Sequence, residues 1–345
     1  MAQRYEVSRE GEIYLLTDAE AGASARIDPT RGNNVLRFRA RPPGRSDPID
    51  VLLPPSDPDP RASIGYAAGN PILFPFPNRV RGGTYVFDGE THQLDVNEPG
   101  RANHIHGLVA RVSWTTEASG ADVERGAWHR AGIALETIPD VPRQYPYPCR
   151  LTVETRLRVG VLSQDVEVRN TGGRRLPMGF GTHPWFPAVL GDGKREETEV
   201  RVPGNRYWRL EDLVPTGETV PVEVVPPGAE ADTFDLRTWR ALDGNAYDDV
   251  FTDLVRRPDG WSEAGIRYPR AGGGAALEVL MEASPEFREW VIYAPTARPV
   301  VCLEAYTGTT DAVNLQHGGV DAGLVVLEPG GTWAGTIRTS LRATT

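Results

Sequence analysis

Lysine is almost missing from this chain: of 37 basic residues one is lysine, Lys194, and the other 36 are arginine. That imbalance reads as genome composition rather than chemistry. Cysteine is scarce too. Cys149 and Cys302 are the only two, too few for a metal cluster or a disulfide scaffold, and they read as inert thiols. No window approaches 18 consecutive apolar residues, which excludes a membrane-spanning helix. The first residues, Met1-Ala2-Gln3-Arg4-Tyr5-Glu6, have no apolar stretch behind them, so the expected compartment is the cytoplasm. A basic face is also lacking. The net charge is −10 and the pI about 5.2, which argues against nucleic acid and anionic membranes as partners. Gly-x-Ser-x-Gly, phosphate-cradling Gly-x-x-x-x-Gly-Lys-Ser/Thr, His-Glu-x-x-His and paired zinc-ribbon cysteines are all absent.

Strand signals dominate what is there. Thirty-seven glycines and 30 prolines punctuate the chain at the spacing of many short strands. Over 150–159, Leu151, Val153, Leu157 and Val159 share one face, and Thr152, Glu154, Arg156 and Arg158 the other. This is the period of a pleated strand with one wet face. Residues 165–169 and 331–341 repeat the alternation, the latter through Trp333, Ile337 and Leu341. Asp88-Gly89 between two short runs predicts a hairpin over 84–94. Trp290–Tyr293 and Val300–Leu303 read as strands buried on both faces. No helical window of 12 residues or more is found. The pattern predicts a large all-β antiparallel sandwich. Length leaves one large domain or two medium ones open. Because strand-like text continues on both sides of the proline-rich stretch 41–62, that stretch is expected to be an irregular surface excursion within one domain spanning 1–345.

The candidate chemistry is carried by histidines, carboxylates and one arginine. Asn103-His104-Ile105-His106-Gly107 places two imidazoles at i and i+2, on one side of a strand. On spacing alone the plainest reading is two structural imidazoles in a partly buried strand, ahead of proton transfer and then a metal. His183 lies in Gly181-Thr182-His183-Pro184-Trp185-Phe186, where Pro184 biases it toward extended backbone and the aromatics offer a platform for a sugar's C–H face. Asn78-Arg79 ends a string with three prolines, Pro71-Ile72-Leu73-Phe74-Pro75-Phe76-Pro77, which cannot be a central strand and suits a rigid pocket rim. A solvated Arg79 is the plainer alternative. Glu304 follows directly on an apolar strand, where a carboxylate must be paired or open into a cavity, and burial would raise its pKa toward the range of a general base. Asp248-Asp249 is a weaker signal.

Taken in order, these segments resemble the aldose 1-epimerase (galactose mutarotase) family across most of the chain. The motifs are the proline-rich approach to Asn78-Arg79, Gly83-Thr84-Tyr85, Asn103-His104-Ile105-His106-Gly107, Tyr145-Pro146, His183-Pro184-Trp185-Phe186, Asp248-x-x-Phe251, and Val301 to Asn314 with its trailing Asp-Ala-x-Asn. The resemblance implies a β-supersandwich of the galactose mutarotase type. It implies Glu304 as general base at the anomeric hydroxyl, His183 as general acid at the ring oxygen, and His106 as a second histidine near that oxygen. Arg79, Asn78, Asp248 and Trp185 are implied as substrate-binding residues. Whether His104 or His106 faces the sugar, and whether Asp248 or Asp249 positions it, stays open.

The implied activity is interconversion of the α and β anomers of a free aldose, with no cofactor and no metal. The implied partner is a small-molecule sugar, with homodimer formation left open. A hexose-6-phosphate 1-epimerase, a non-catalytic sugar-binding protein on the same fold, and a metal enzyme built on His104, His106, His183 and Glu304 are the competing readings.

Overall fold

The computed structural model describes residues 4–55, 68–98, 100–269, 271 and 275–344. Antiparallel strands dominate it, and its two α-helices, Val141–Gln144 and Ala312–His317, are each shorter than two turns. The N-terminal residues form a five-stranded meander from Tyr5–Glu10 to Ile49–Asp50. A nine-stranded sheet runs through Thr115–Asp122, Gly126–Ala134, Cys149–Arg158 and Val161–Asn170. It then takes in the C-terminal strand Thr332–Ala343 before continuing through Leu277–Ala283 and Ser262–Tyr268 to its far edge. An eight-stranded sheet is built from Val214–Pro221, Gly204–Glu211, Tyr247–Leu254, Glu289–Ala294, Val300–Tyr306, Gly181–Thr182 and Ile72–Leu73, with Trp185–Pro187 also paired to Val300–Tyr306. Among the described residues the main apolar core gathers side chains from Tyr5 to Ile337, with two smaller clusters around Trp208 and Trp185.

The strand expectations hold in detail, with local exceptions. In Cys149–Arg158 the residues Leu151, Val153 and Leu157 are buried. Val159, expected on that face, instead sits in the tight turn to the next strand with φ 51° and is exposed. Thr152, expected on the wet face, is buried. The Asp88-Gly89 hairpin forms, with both residues at positive φ and Phe87 opposite Glu90, as a two-residue turn matched to strand twist requires. Glu289–Ala294 and Val300–Tyr306 are covered on both faces. The stretch 41–62 is not wholly a surface excursion. Ile49–Asp50 pairs with the preceding strand and Val51 and Leu52 enter the core, because apolar side chains between the prolines have a sheet to pack on. Residues 56–62 of it lie outside the described residues. No helix among the described residues is long and apolar enough to cross a membrane.

Candidate active site

The eight-stranded sheet assembles the site by register. Val291 pairs with Glu304, Tyr293 with Cys302, and Asp248 with Tyr293. Cross-strand partners and residues two apart share a face. Glu304, Tyr306, Tyr293 and Asp248 therefore point to the same side. The neighbouring strand is interrupted: Gly181 pairs with Tyr306 and Trp185 with Cys302, which carries His183 to the level of Glu304. His183 Nε2 lies 3.4 Å from Glu304 Oε1. Its ring stacks on Trp185 at 4.9 Å between centroids, and the Arg298 guanidinium lies over the indole, 4.7 Å from its centroid. His183 N–H donates to Pro71 O at 3.0 Å, so the proline-rich string holds the histidine's backbone.

That string is an edge element, as its prolines demand. Ile72–Leu73 makes a two-residue pairing at the end of the sheet. It delivers Asn78 in a left-handed conformation, φ 57°, followed by Arg79. Arg79 is buried rather than solvated. Glu98 binds its guanidinium bidentately at 3.0–3.1 Å, and Nη1 donates to Asn78 Oδ1 at 3.1 Å. The strand Arg79–Val80 pairs with His104–Ile105. His106 then leaves the strand at φ 65°, its N–H donating to Asn78 O at 2.8 Å. Gly107 follows at φ 69°, and a Cβ there would lie 2.2 Å from Phe74 O. Only glycine fits, and this turn swings His106 into the cavity. The trailing Asp-Ala-x-Asn secures the same segment from outside. Asp311 N–H donates to Arg79 O at 2.9 Å, Asp311 Oδ1 accepts from Arg81 N at 3.1 Å, and Asn314 donates to Thr84 O at 2.9 Å. Tyr145 is structural: buried, its hydroxyl donates to Pro177 O at 2.8 Å.

A cavity of about 430 Å³ collects the expected residues: Asn78, Arg79, His106, His183, Trp185, Asp248 and Glu304 all line it. Each two-residue ambiguity separates. His104 turns away, its Nδ1 2.7 Å from Asp95 O, and Asp249 does not line this cavity. The sequence reading missed Tyr306, whose hydroxyl donates to Glu304 Oε2. The period-two rule would have found it, two residues beyond Glu304. It also missed Glu98, Tyr293 and Arg101, and nothing local in the sequence marks them. Tyr306 is held in turn by Gly181, where a Cβ would lie 2.3 Å from the Tyr306 ring.

Burial sets the electrostatics. It pushes the Glu304 carboxyl well above its ordinary value, against the lowering effect of the Tyr306 hydrogen bond, and Asp248 nearby pushes the same way. Burial also lowers His183 to about 3. It lowers His106 well below the usual imidazole value, with His183 adding to the effect. Burial thus favours the uncharged form of the pair, a carboxylic acid beside a neutral imidazole. It holds one proton, the same number as a carboxylate beside an imidazolium. Such a pair can donate at one atom and accept at another without changing its charge. Among the described residues no group of three or more His, Cys, Asp and Glu side chains is arranged to hold a metal ion.

A family model described as aldose 1-epimerase matches residues 20–340. The chain is similar to the uncharacterized protein YihR of Escherichia coli, 27% identical over 145 residues, 41% of this chain and 42% of that protein. It is also similar to the uncharacterized protein YphB of E. coli, 25% identical over 267 residues, 75% of this chain and 78% of that one. The match to YihR thus spans less than half the length of either protein. Among solved structures, a galactose mutarotase-like protein from Clostridium acetobutylicum superposes with a TM-score of 0.80 at 20% identity, covering 99% of this chain and 98% of that one. At that identity the likeness shows a shared fold.

Proposed function

Starting from the chain's membership of the aldose 1-epimerase family, we propose that it interconverts the anomers of a free aldose, with Glu304 and His183 as the proton-transfer pair. The observation that carries this is the 3.4 Å approach of the two groups inside one cavity. Mutarotation needs little more. A proton leaves the anomeric hydroxyl for the base. The C1–O5 bond breaks, its electron pair passing to O5, which takes a proton from the acid, and C1 becomes an aldehyde carbon. Rotation about C1–C2 presents the other aldehyde face, and the steps run backwards. The two groups exchange roles between opening and closing, so a pair that conserves its single proton suits both halves.

The surroundings fit these roles. Tyr306 orients the Glu304 carboxyl and leaves Oε1 toward His183. His106, whose neutral form burial favours, can donate one N–H near the ring oxygen. Its ring meets that of His183 edge-on at 5.2 Å between centroids. Trp185 and Tyr293 supply aromatic surface, and Asn78, Arg79 and Asp248 supply polar contacts for ring hydroxyls. A free sugar suits the cavity better than a phosphorylated one. Arg79 is committed to Glu98, Arg101 lies 3.6 Å from the same carboxylate, and Asp248 and Glu304 share the space. Polarimetry of freshly dissolved α-D-glucose, α-D-galactose and several pentoses, with protein treated with EDTA, tests the proposal. Faster equilibration of at least one sugar is expected. Loss of the activity on chelation with recovery on adding a divalent ion would refute the metal-free mechanism, and no acceleration with any aldose would refute the function.

A further inference from the structure

The turn between the strands that carry Tyr293 and Glu304 places a charge beside the site without entering the cavity. Residues 295–299, Pro-Thr-Ala-Arg-Pro, join Glu289–Ala294 to Val300–Tyr306. The backbone at the end of this turn is held. Pro299 biases Arg298 toward extended geometry. Val300 N–H donates to Arg298 O at 2.9 Å, and Ala188 N–H donates to Pro299 O at 2.9 Å. Pro187 pairs with Val300 and Trp185 with Cys302, so the turn is fastened to the strand that carries Trp185. The Arg298 side chain is exposed and does not line the Glu304 cavity.

Its guanidinium rests on the Trp185 indole, 4.7 Å from the ring centroid, a favourable cation–aromatic geometry. The His183 imidazole rests on the same indole, 4.9 Å between centroids and within 12° of parallel. Tyr293 braces both rings edge-on, 5.9 Å from Trp185 and 6.5 Å from His183. A charge seated on the ring that carries the imidazole is felt there at moderate salt, where the Debye length is about 8–10 Å. Burial chiefly lowers His183, and Arg298 lowers it further. The other charged or titratable groups around the imidazole belong to the site itself. Glu304, bonded to Tyr306, faces it from one strand, and Asp248 and Tyr293 stand on the strands beyond. His106 meets it edge-on, and Arg79 and Arg101 line the same cavity.

We propose that Arg298 is a positioning residue: its charge, seated on the indole that carries His183, opposes the arrival of a second proton at that imidazole. Granted the epimerase reading of this site, the consequence is a wider working range in acid. A pair with one proton can donate at one atom and accept at another. A carboxylic acid beside an imidazolium holds two, and no base is left for the anomeric hydroxyl.

The test is the pH dependence of kcat/KM for anomer equilibration in Arg298→Lys, Arg298→Gln and Arg298→Glu, read in pH jumps shorter than acid unfolding. The acid limb of this profile reports the free enzyme. Gln should move it up by about half a pH unit, the scale of one charge at about a Debye length, and Glu should move it further in the same direction. Lys keeps the charge and should leave the limb in place. In about 1 M salt, where the Debye length is about 3 Å, the Gln and wild-type limbs should converge. An acid limb unmoved in both the Gln and Glu variants would overturn the inference and leave the epimerase reading standing. So would a Lys variant displaced as far as Gln, or a displacement that 1 M salt does not reduce. If no aldose is equilibrated, the epimerase reading falls, and NMR titration of the His183 imidazole decides the effect of the charge by itself. Its protonated fraction at low pH should rank Glu above Gln, and Gln above both wild type and Lys; equal fractions in all four proteins would overturn the inference.

Discussion

Replacing Glu304 by glutamine isolates the proton-transfer role from every other contribution of that side chain. The carboxyl makes two contacts: Oε2 accepts from the Tyr306 hydroxyl and Oε1 faces His183 at 3.4 Å. Glutamine can keep both, its carbonyl oxygen accepting from Tyr306 and its amide N–H facing the neutral imidazole. Volume and packing on the strand Val300–Tyr306 are retained. What is lost is the group that accepts and returns a proton. Such losses lower rates by about 10²–10⁴, or about 2.7–5.4 kcal/mol of barrier at ~1.36 kcal/mol per decade. The maximal rate should fall by at least a hundredfold, while sugar affinity by calorimetry stays within a few fold. The melting temperature should hold or rise above neutral pH, because a carboxyl that burial pushes far above its ordinary value costs stability once the solution would ionise it. Since Glu304 and His183 act as a unit, adding His183→Asn should make the double variant little worse than the poorer single one. A folded Glu304→Gln protein that keeps more than a tenth of its turnover would refute this reasoning and direct attention to Asp248.

Tyr306→Phe removes a hydrogen bond that lowers the Glu304 pKa, so the alkaline limb of the pH–rate profile should move up and the maximal rate drop about tenfold, the scale of one net hydrogen bond to a charged group. An unmoved limb would show that Tyr306 does not orient the carboxyl. Glu289, fully buried beneath Trp208 and Thr252, is pushed up to about 8 by burial. Its folded pKa lies above its unfolded one, so its contribution is full below about pH 4.5 and is lost as pH rises toward 8. Glu289→Gln should therefore flatten the fall in melting temperature between pH 5 and 8, and identical curves for the two proteins would refute the assignment.

The strands were legible because their signals are local. Alternation in Cys149–Arg158 and Val161–Asn170, the Asp88-Gly89 turn and the doubly apolar run Val300–Leu303 each depend on neighbouring residues and on one buried face. The exceptions are also local events with non-local causes. Val159 reads as a core residue until the chain must turn there, and Val51 and Leu52 read as part of a proline-rich loop until a sheet lies beneath them. The two-residue spacing of His104 and His106 suggests two imidazoles on one face. The left-handed backbone of His106 and Gly107 breaks the strand period between them and sends the rings different ways.

The sequence by itself determined the residue types of the site, the all-β class and the order of the motifs, because each rests on side-chain chemistry or on the period of a single strand. Tertiary structure alone decided which of them meet. Glu304 and His183 are 121 positions apart in the chain and come within 3.4 Å only because the interrupted strand 181–187 keeps its register across His183. Glu98 finds Arg79, and Tyr293 finds Asp248, through pairings that no local pattern announces. Register and its interruptions are set by the packing of whole sheets, and a linear text carries no record of that.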